Sequence, residues 1–315
     1  MLQQTQVSTV LNFYPQFLAQ FPNVASLAKA PLDDVLALWS GMGYYTRARN
    51  LHRAANQIMQ DFEGEFPKSA KQLEQLVGVG RSTAAAIAAF CYGERVAILD
   101  GNVKRVLARV LASAGDLAKA SEVNLLWDKA TDLLPTQNLQ TAMPIYTQAL
   151  MDLGATVCHA RSPLCERCPV AALCKANQHK AWQAYPVKTK KLKRTTESIW
   201  LLMATNSKND VLLEQRKSCG HTVGESKVWA GLYSFPPFSS EAALTAALPK
   251  SWHTHLRFEP AFKHVLTHKD LWLHLVRFEA DERTKLDTFG SWYPKTQALK
   301  LGLPAPIKKI IANDC

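Results

Sequence analysis

Several features are missing from this 315-residue chain, and each absence removes a class of protein. No apolar run approaches the ~18 residues of a membrane span, and the longest stretch of interest, IWLLMA, is strand-sized. No basic segment followed by an apolar one opens the chain, so no secretory signal is expected, and neither is a membrane partner. The simplest address is the cytoplasm. No internal repeat occurs, and no low-complexity tract apart from one basic segment. Between Lys175 and Arg194 there is no acidic residue among seven Lys or Arg, so this stretch, with YPVKTKKLKR at its centre, reads as a linker that no core could bury. A reducing address makes a disulfide framework a poor account of seven cysteines. Finally, Val7, Val10, Leu11, Tyr14, Phe17, Leu18 and Phe21 recur with the period of one helix face over 2–20, yet no cap or acidic first turn precedes them. This helix reads as beginning in its own interior.

What is present favours a polyanionic partner. The net charge is +11 and the pI about 9.3, a surplus that suggests nucleic acid, although general solubility would account for it too. Apolar residues make up 47% of the chain, enough for real cores. Helices are predicted over 2–20, 32–39, 44–60, 69–76, 81–91, 103–112, 121–134 and 140–154. After Glu197 the pattern changes: ESIWLLMAT, DVLLEQR, LYSFPPF and DLWLHLVRFEA are strand-like, and EAALTAALP reads as a helix between strands. The expected fold class is an all-α domain over 1–180, a basic linker over 181–196, and a smaller α+β domain over 197–315.

Four cysteines, Cys158, Cys165, Cys168 and Cys174, are spaced C-x6-C-x2-C-x5-C in one loop of seventeen residues. Structural zinc usually takes two separated C-x2-C knuckles. A compact loop suits a [4Fe–4S] cluster, in which each iron takes one thiolate, and chemistry favours that over zinc. Cys91, Cys219 and Cys315 have no such spacing and read as buried or incidental thiols. The stretch LEQLVGVGRSTAAAIAAF places two helices about a Gly78–Gly80 turn, over about 69–91. Free N–H groups at the start of the second helix, with Arg81 beside them, make a phosphate site; a plain tight connection is the other reading. In AILDGNVKRVLAR, Asp100 and Asn102 precede a helix whose outer face is expected to carry Lys104, Arg105 and Arg109. Asp100 reads as an N-cap or as a catalytic carboxylate at a DNA-binding face.

Together, MLQQTQV, GMGYYTRARNLHRAA, LVGVGRSTAAAI, ILDGNVKRVLAR, QALMDLGATVC and the cysteine loop resemble the MutY family of adenine DNA glycosylases, within the helix–hairpin–helix superfamily. VWAGLYSFPPF and FKHVLTHKDLWLHL resemble its MutT-like second domain, here without a hydrolase-type acidic metal signature. The resemblance implies a [4Fe–4S] cluster on the four cysteines. It implies a monomer that removes adenine mispaired with 8-oxoguanine or guanine in double-stranded DNA, with the nucleotide extruded from the stack. Asp100 matches the catalytic carboxylate, Asn102 a residue that orients the site, and Gln148 a reader of the adenine edge. Gly78, Gly80, Arg81 and Lys104 fall on the phosphate-binding surface. Gln3, Gln4, Thr5 and Tyr44 match the residues that fill the hole, with helix core the plainer reading of Tyr44. Leu266-Thr267-His268 matches the loop that reads 8-oxoguanine together with Tyr44; Thr267 keeps the hydroxyl, and Leu266 stands where the family has an aromatic.

Ser82 stands where lyase relatives carry a Schiff-base lysine, which implies a monofunctional enzyme. The resemblance also places a catalytic Glu two residues before the position of Met1, so the 315-residue form is expected to be impaired. Glu74 and Glu94 offer no substitute. A non-catalytic lesion-binding protein and an endonuclease III-like glycosylase/lyase are the competing functions.

Overall fold

A computed structural model describes residues 1–189, 193–216, 228–281, 284 and 286–314. In chain order the elements are α1 (Val7–Leu11), α2 (Tyr14–Gln20), α3 (Val24–Lys29), α4 (Leu32–Leu38), α5 (Tyr45–Asp61), α6 (Ala70–Leu73), α7 (Arg81–Tyr92), α8 (Gly101–Val110), α9 (Ala120–Asp132), α10 (Leu139–Asp152) and α11 (Lys175–Gln178). There follow β1 (Thr195–Thr205), β2 (Asp210–Gln215), β3 (Tyr233–Ser234), β4 (Pro237–Phe238), α12 (Glu241–Ala247), β5 (Arg257–Phe258), β6 (Phe262–Val265), β7 (Lys269–Glu279), β8 (Ser291–Pro294), α13 (Lys295–Ala298) and α14 (Ala305–Asn313). The all-α region followed by an α+β region is as expected. Cys219 and Cys315 lie outside the described residues, as do Lys190, Lys191 and Leu192 of the linker. No helix among the described residues is long and apolar enough to cross a membrane.

Two readings near the N-terminus need correction. The helix expected over 2–20 is two helices, and residues before Val7 form a turn with Gln4 at φ +56°. Pro15 is the reason. It has no N–H to donate and its ring would strike the carbonyl one turn earlier, so the helix stops at Leu11 and restarts at Tyr14 with the proline in its first turn. The helix therefore does not begin in its interior. In addition, α3 lies outside the helices predicted from the sequence, and Asn23 and Ser26 form a reciprocal capping box at its start, with Ser26 N–H donating to Asn23 Oδ1 at 2.8 Å.

The chain divides into two compact units that cross the linear domains. One holds Met1–Asn56 with Leu192–Cys315; the other holds Gln57–Lys191. In the first, β1 and β7 pair in parallel over eleven residues, from Thr195 opposite Lys269 to Thr205 opposite Glu279. They form the middle of a sheet ordered β3-β2-β1-β7-β5. Alternation sends Ile199, Leu201, Met203, Leu271, Leu273 and Leu275 to one face, where Leu303, Ile307 and Ile311 cover them. Leu202, Ala204, Val276 and Phe278 face the other way, under Leu244 and Leu248. The helices α1–α4 and the start of α5 build their own core of Phe17, Leu36, Trp39 and Met42, joined by Leu232 from the far end of the sequence. Ser40 and Tyr45 both donate their hydroxyls to Leu303 O at 2.8 Å. A Cβ on Gly302 would come within 2.9 Å of Leu36 Cβ, so this approach demands a glycine.

In the second unit, Ala84, Ala85, Ala88 and Ala89 give α7 a buried face of small side chains. The core continues through Ile98, Leu99, Val103, Leu107, Leu126 and Met143. Glu94 accepts from Ala70 N–H at 2.7 Å, so it caps α6.

Candidate functional site

The hairpin turn is built as its glycines predict. Gly78 has φ +79°, in the left-handed region. Gly80 is the extended N-cap of α7, and nothing lies within 4 Å of where its Cβ would be, which leaves the backbone open to approach. Arg81 is exposed, and its guanidinium carbon stands 4.0 Å from the Trp127 ring centre. Ser82, one residue on, accepts the N–H of Leu99 at 3.1 Å. That bond grips the extended segment immediately before Asp100, a role that spacing alone could not reveal.

Asp100 is the N-cap of α8, and its Oδ1 accepts the N–H of Val103 at 2.7 Å. Capping and catalysis are compatible here, because an N-cap bond uses one lone pair of a carboxylate with four and fixes where the rest point. Asn102 Oδ1 accepts from Arg105 Nη2 at 3.0 Å. Gly154 packs against Asn102 so closely that an added Cβ would meet Asn102 Cβ at 2.7 Å. Lys104 is half-buried. Gln148 is exposed on α10 and donates to Asp152 Oδ1 at 2.8 Å.

The reading of Arg105 and Arg109 as an outer face is wrong. Arg105 donates to Cys158 O and Gly154 O, each at 2.7 Å. Arg109 is 3% exposed and donates to Cys158 Sγ at 3.2 Å, His159 O at 2.7 Å, Ala160 O at 3.0 Å and Tyr185 O at 3.1 Å, against the Trp182 ring. The loop that follows Leu153–Val157, a π-helical turn, exposes carbonyls that no helix satisfies, and these two side chains satisfy them.

Cys158, Cys165, Cys168 and Cys174 line one cavity with Arg109 and Trp182. Burial first, then the thiols of Cys158, Cys174 and Cys168, push the Cys165 thiol above its ordinary pKa, while Arg109 opposes them. Among the described residues no three His, Cys, Asp or Glu are gathered tightly enough to hold a single ion. One cavity lined by four thiols fits a cluster whose irons each take one sulfur. Cys91 is exposed, so of the two readings, buried or incidental, the buried one does not hold there.

A separate group of predicted residues lies in the other unit. In GMGYY, Gly41 (φ +104°), Gly43 (φ +76°) and Tyr44 (φ +50°) turn the chain sharply, and Tyr44 is 42% exposed at the tip. Its hydroxyl is 2.6 Å from Thr267 Oγ1, 223 residues later. Arg194 donates to Thr267 O at 3.0 Å and Leu266 O at 2.9 Å and pairs with Asp270, so the 266–268 loop is braced from the linker side. Leu266 packs into the sheet core, and His268 is exposed. Gln3 and Gln4 are exposed, and Thr5 Oγ1 accepts from Arg47 Nη2 at 2.8 Å.

A glycine-hinged helical hairpin, an aspartate capping the helix behind it and a four-cysteine loop define a DNA-repair glycosylase of the helix–hairpin–helix class. The family models agree: residues 1–129 match the HhH-GPD superfamily base excision DNA repair protein, 158–174 the iron-sulfur binding domain of endonuclease III, and 200–313 a NUDIX domain. An adenine DNA glycosylase of Buchnera aphidicola subsp. Baizongia pistaciae is 35% identical over 322 residues, covering 99% of this chain and 87% of the relative. That of Buchnera aphidicola subsp. Schizaphis graminum is 32% identical, covering 99% and 88%. The Homo sapiens adenine DNA glycosylase is 44% identical over 180 residues, 56% of this chain and 32% of the human one. The chain belongs to the adenine DNA glycosylase family, enzymes that hydrolyse N-glycosyl bonds in DNA. Its four-cysteine loop is that of a [4Fe–4S] protein. Cys158, Cys165, Cys168 and Cys174 are the thiols of that loop that would hold the cluster.

Proposed function

We propose that this chain, as a monomer, excises adenine paired with 8-oxoguanine or guanine in duplex DNA, by hydrolysis and without strand cleavage. The observation that carries the reading is the fixed Asp100. Its carboxylate is oriented by the Val103 N–H, and the residue before it is held by Ser82. Once a nucleotide is out of the stack, cleavage of its N-glycosyl bond builds positive charge on the sugar. A preoriented carboxylate supplies the counter-charge in a site that need not reorganise. Asn102 orients the site. Gln148, with a donor and an acceptor on one amide, reads the adenine edge. Ser82 has no amine for a Schiff base, which supports the monofunctional mode.

The duplex is held by the open backbone at Gly78 and Gly80, with Arg81 and Lys104 as cations. Gln3, Gln4 and Thr5 fill the space left by the base, with Tyr44 as the wedge. Tyr44, Thr267 and His268 read the 8-oxoguanine. The hydroxyl contact between Tyr44 and Thr267 supports this, since it brings together two residues assigned to the same lesion from opposite ends of the chain.

The test is single-turnover release of free adenine from an 8-oxoguanine·adenine duplex. Asp100→Asn should slow release by ~10²–10³-fold with duplex affinity unchanged, and borohydride should trap no covalent adduct. Lesion binding with no adenine release by the unaltered chain would favour a binding protein. A borohydride adduct would favour a lyase.

A further inference from the structure

Gln3, Gln4 and Thr5 lie in one loop and Tyr44 in another, and both loops contain a non-glycine residue in the left-handed region, Gln4 at φ +56° and Tyr44 at φ +50°. Such conformations are strained and persist only when the surroundings over-determine them. Neither loop is held by apolar packing at its tip: Gln3, Gln4 and Tyr44 are all exposed.

One side chain ties them. Arg47, in the first turn of α5, sends Nη1 to Met1 O at 2.7 Å and also to Gln3 O, and Nη2 to Thr5 Oγ1 at 2.8 Å. The same guanidinium sits 4.8 Å from the Tyr44 ring centre and 5.8 Å from that of Trp39. Trp39 closes the arrangement by donating Nε1–H to Gly43 O at 3.0 Å, one residue before Tyr44. Arg47 Nε is buried and has no hydrogen-bond partner among the described residues. A group that spends its donors on the 1–5 loop, lays its face on the ring of the Tyr44 loop and leaves one buried donor unused is placed for geometry more than for satisfaction of its own hydrogen bonds.

We propose that Arg47 is a positioning residue that sets the 1–5 loop and Tyr44 in mutual register, so that both probe the duplex as one unit. It acts on lesion selection and base extrusion, and does not itself bind phosphate. Lysine could not replace it, because a single ammonium lacks the planar fork that reaches one loop while stacking on the ring of the other. This rests on the reading of Tyr44 as the wedge.

The experiment uses the full chain and duplexes carrying 2-aminopurine opposite 8-oxoguanine or guanine. It reads the fluorescence rise on extrusion, the affinity ratio between the two duplexes, and the salt dependence of binding. Tyr44→Ala and Arg47→Met should each cut the ratio by ~10-fold, and the double variant should be no worse than the poorer single, as expected for coupled residues. Arg47→Lys should resemble Arg47→Met. The salt slope should be unchanged in all of them. A slope reduced by about 1 in Arg47→Met would make Arg47 a phosphate contact and overturn the proposal. So would a strictly additive double variant. If Tyr44→Ala leaves the ratio unchanged, the wedge reading itself fails and the proposal falls with it; if Tyr44→Ala acts and Arg47→Met does not, only the proposal fails. Should Arg47→Met not fold, Thr5→Val removes one arm alone and should lower the ratio by ~2-fold; no change in Thr5→Val together with full function in Arg47→Lys would reject the tether.

Discussion

Arg109 and Arg47 are both held by carbonyl oxygens and both lie against an aromatic ring, yet they serve regions of opposite character. Around Arg109 the tether is interior: the residue is 3% exposed, and its bonds gather the half-buried and exposed start of the cysteine loop and the carbonyl of Tyr185 onto α8. Around Arg47 the loops are surface, and the tips it gathers are exposed and conformationally strained. The comparison teaches that one residue type can fix a scaffold or aim a probe. What separates the two is whether the arginine itself is buried: Arg109 is, and Arg47 is only half-buried. A buried tether resists unfolding, because losing it strands carbonyls away from water. An exposed tether changes what the surface recognises, because water can satisfy the freed groups and only their geometry is lost.

The comparison can be broken most severely at the cysteines. Cys168→Ala should lose the ~4 irons per chain expected of the intact protein, and duplex affinity should fall more than helix content measured by circular dichroism. Stoichiometric zinc in anaerobically prepared unaltered protein would remove the cluster assignment altogether. Next in size is Arg109→Met. It leaves three carbonyls and the Cys158 sulfur without a donor, and should destabilise the protein by about 3 kcal/mol in a denaturant titration, with faster iron loss. An unchanged midpoint would mean that the scaffold role belongs to Arg105 alone.

Gly154→Ala should be smaller, about 1–3 kcal/mol, since the added methyl overlaps Asn102 Cβ at 2.7 Å and must push α8 and the π-helical turn Leu153–Val157 apart. Adenine release should slow with it if Asn102 orients the site. The smallest effect belongs to the surface. Thr267→Ala removes the partner of the Tyr44 hydroxyl and should lower the preference for 8-oxoguanine over guanine opposite adenine by about 1 kcal/mol, with melting unchanged. Equal loss on both duplexes would take the lesion-reading role away from Thr267.

Much of this was legible along the chain. The period-two run Leu271, Leu273, Leu275 gave a strand with one buried face, and the structure buries all three on the same side of the sheet. The small residues of STAAAIAAF gave a closely packed helix, and Gly78 a left-handed turn. These signals are local: they follow from backbone sterics and from side-chain period, so the sequence carries them without help. The spacing of the four cysteines is local too, which is why a cluster loop could be expected before any fold was known. Pro15 is equally local as a helix breaker, and it overrides the apolar period that runs across it.

What tertiary structure alone decided is where long polar side chains end and which distant segments share a core. Arg105 and Arg109 fall at spacings that fit an outer face, and only the unpaired carbonyls of the loop at Cys158 turn them inward. The grip of Ser82 on Leu99, the meeting of Tyr44 with Thr267, and the packing of Leu232 among α1–α5 join residues far apart in sequence. No local propensity encodes such pairs. They arise because a folded chain must bury its apolar faces against whatever surface the topology brings near, and must find partners for every polar group that burial cuts off from water.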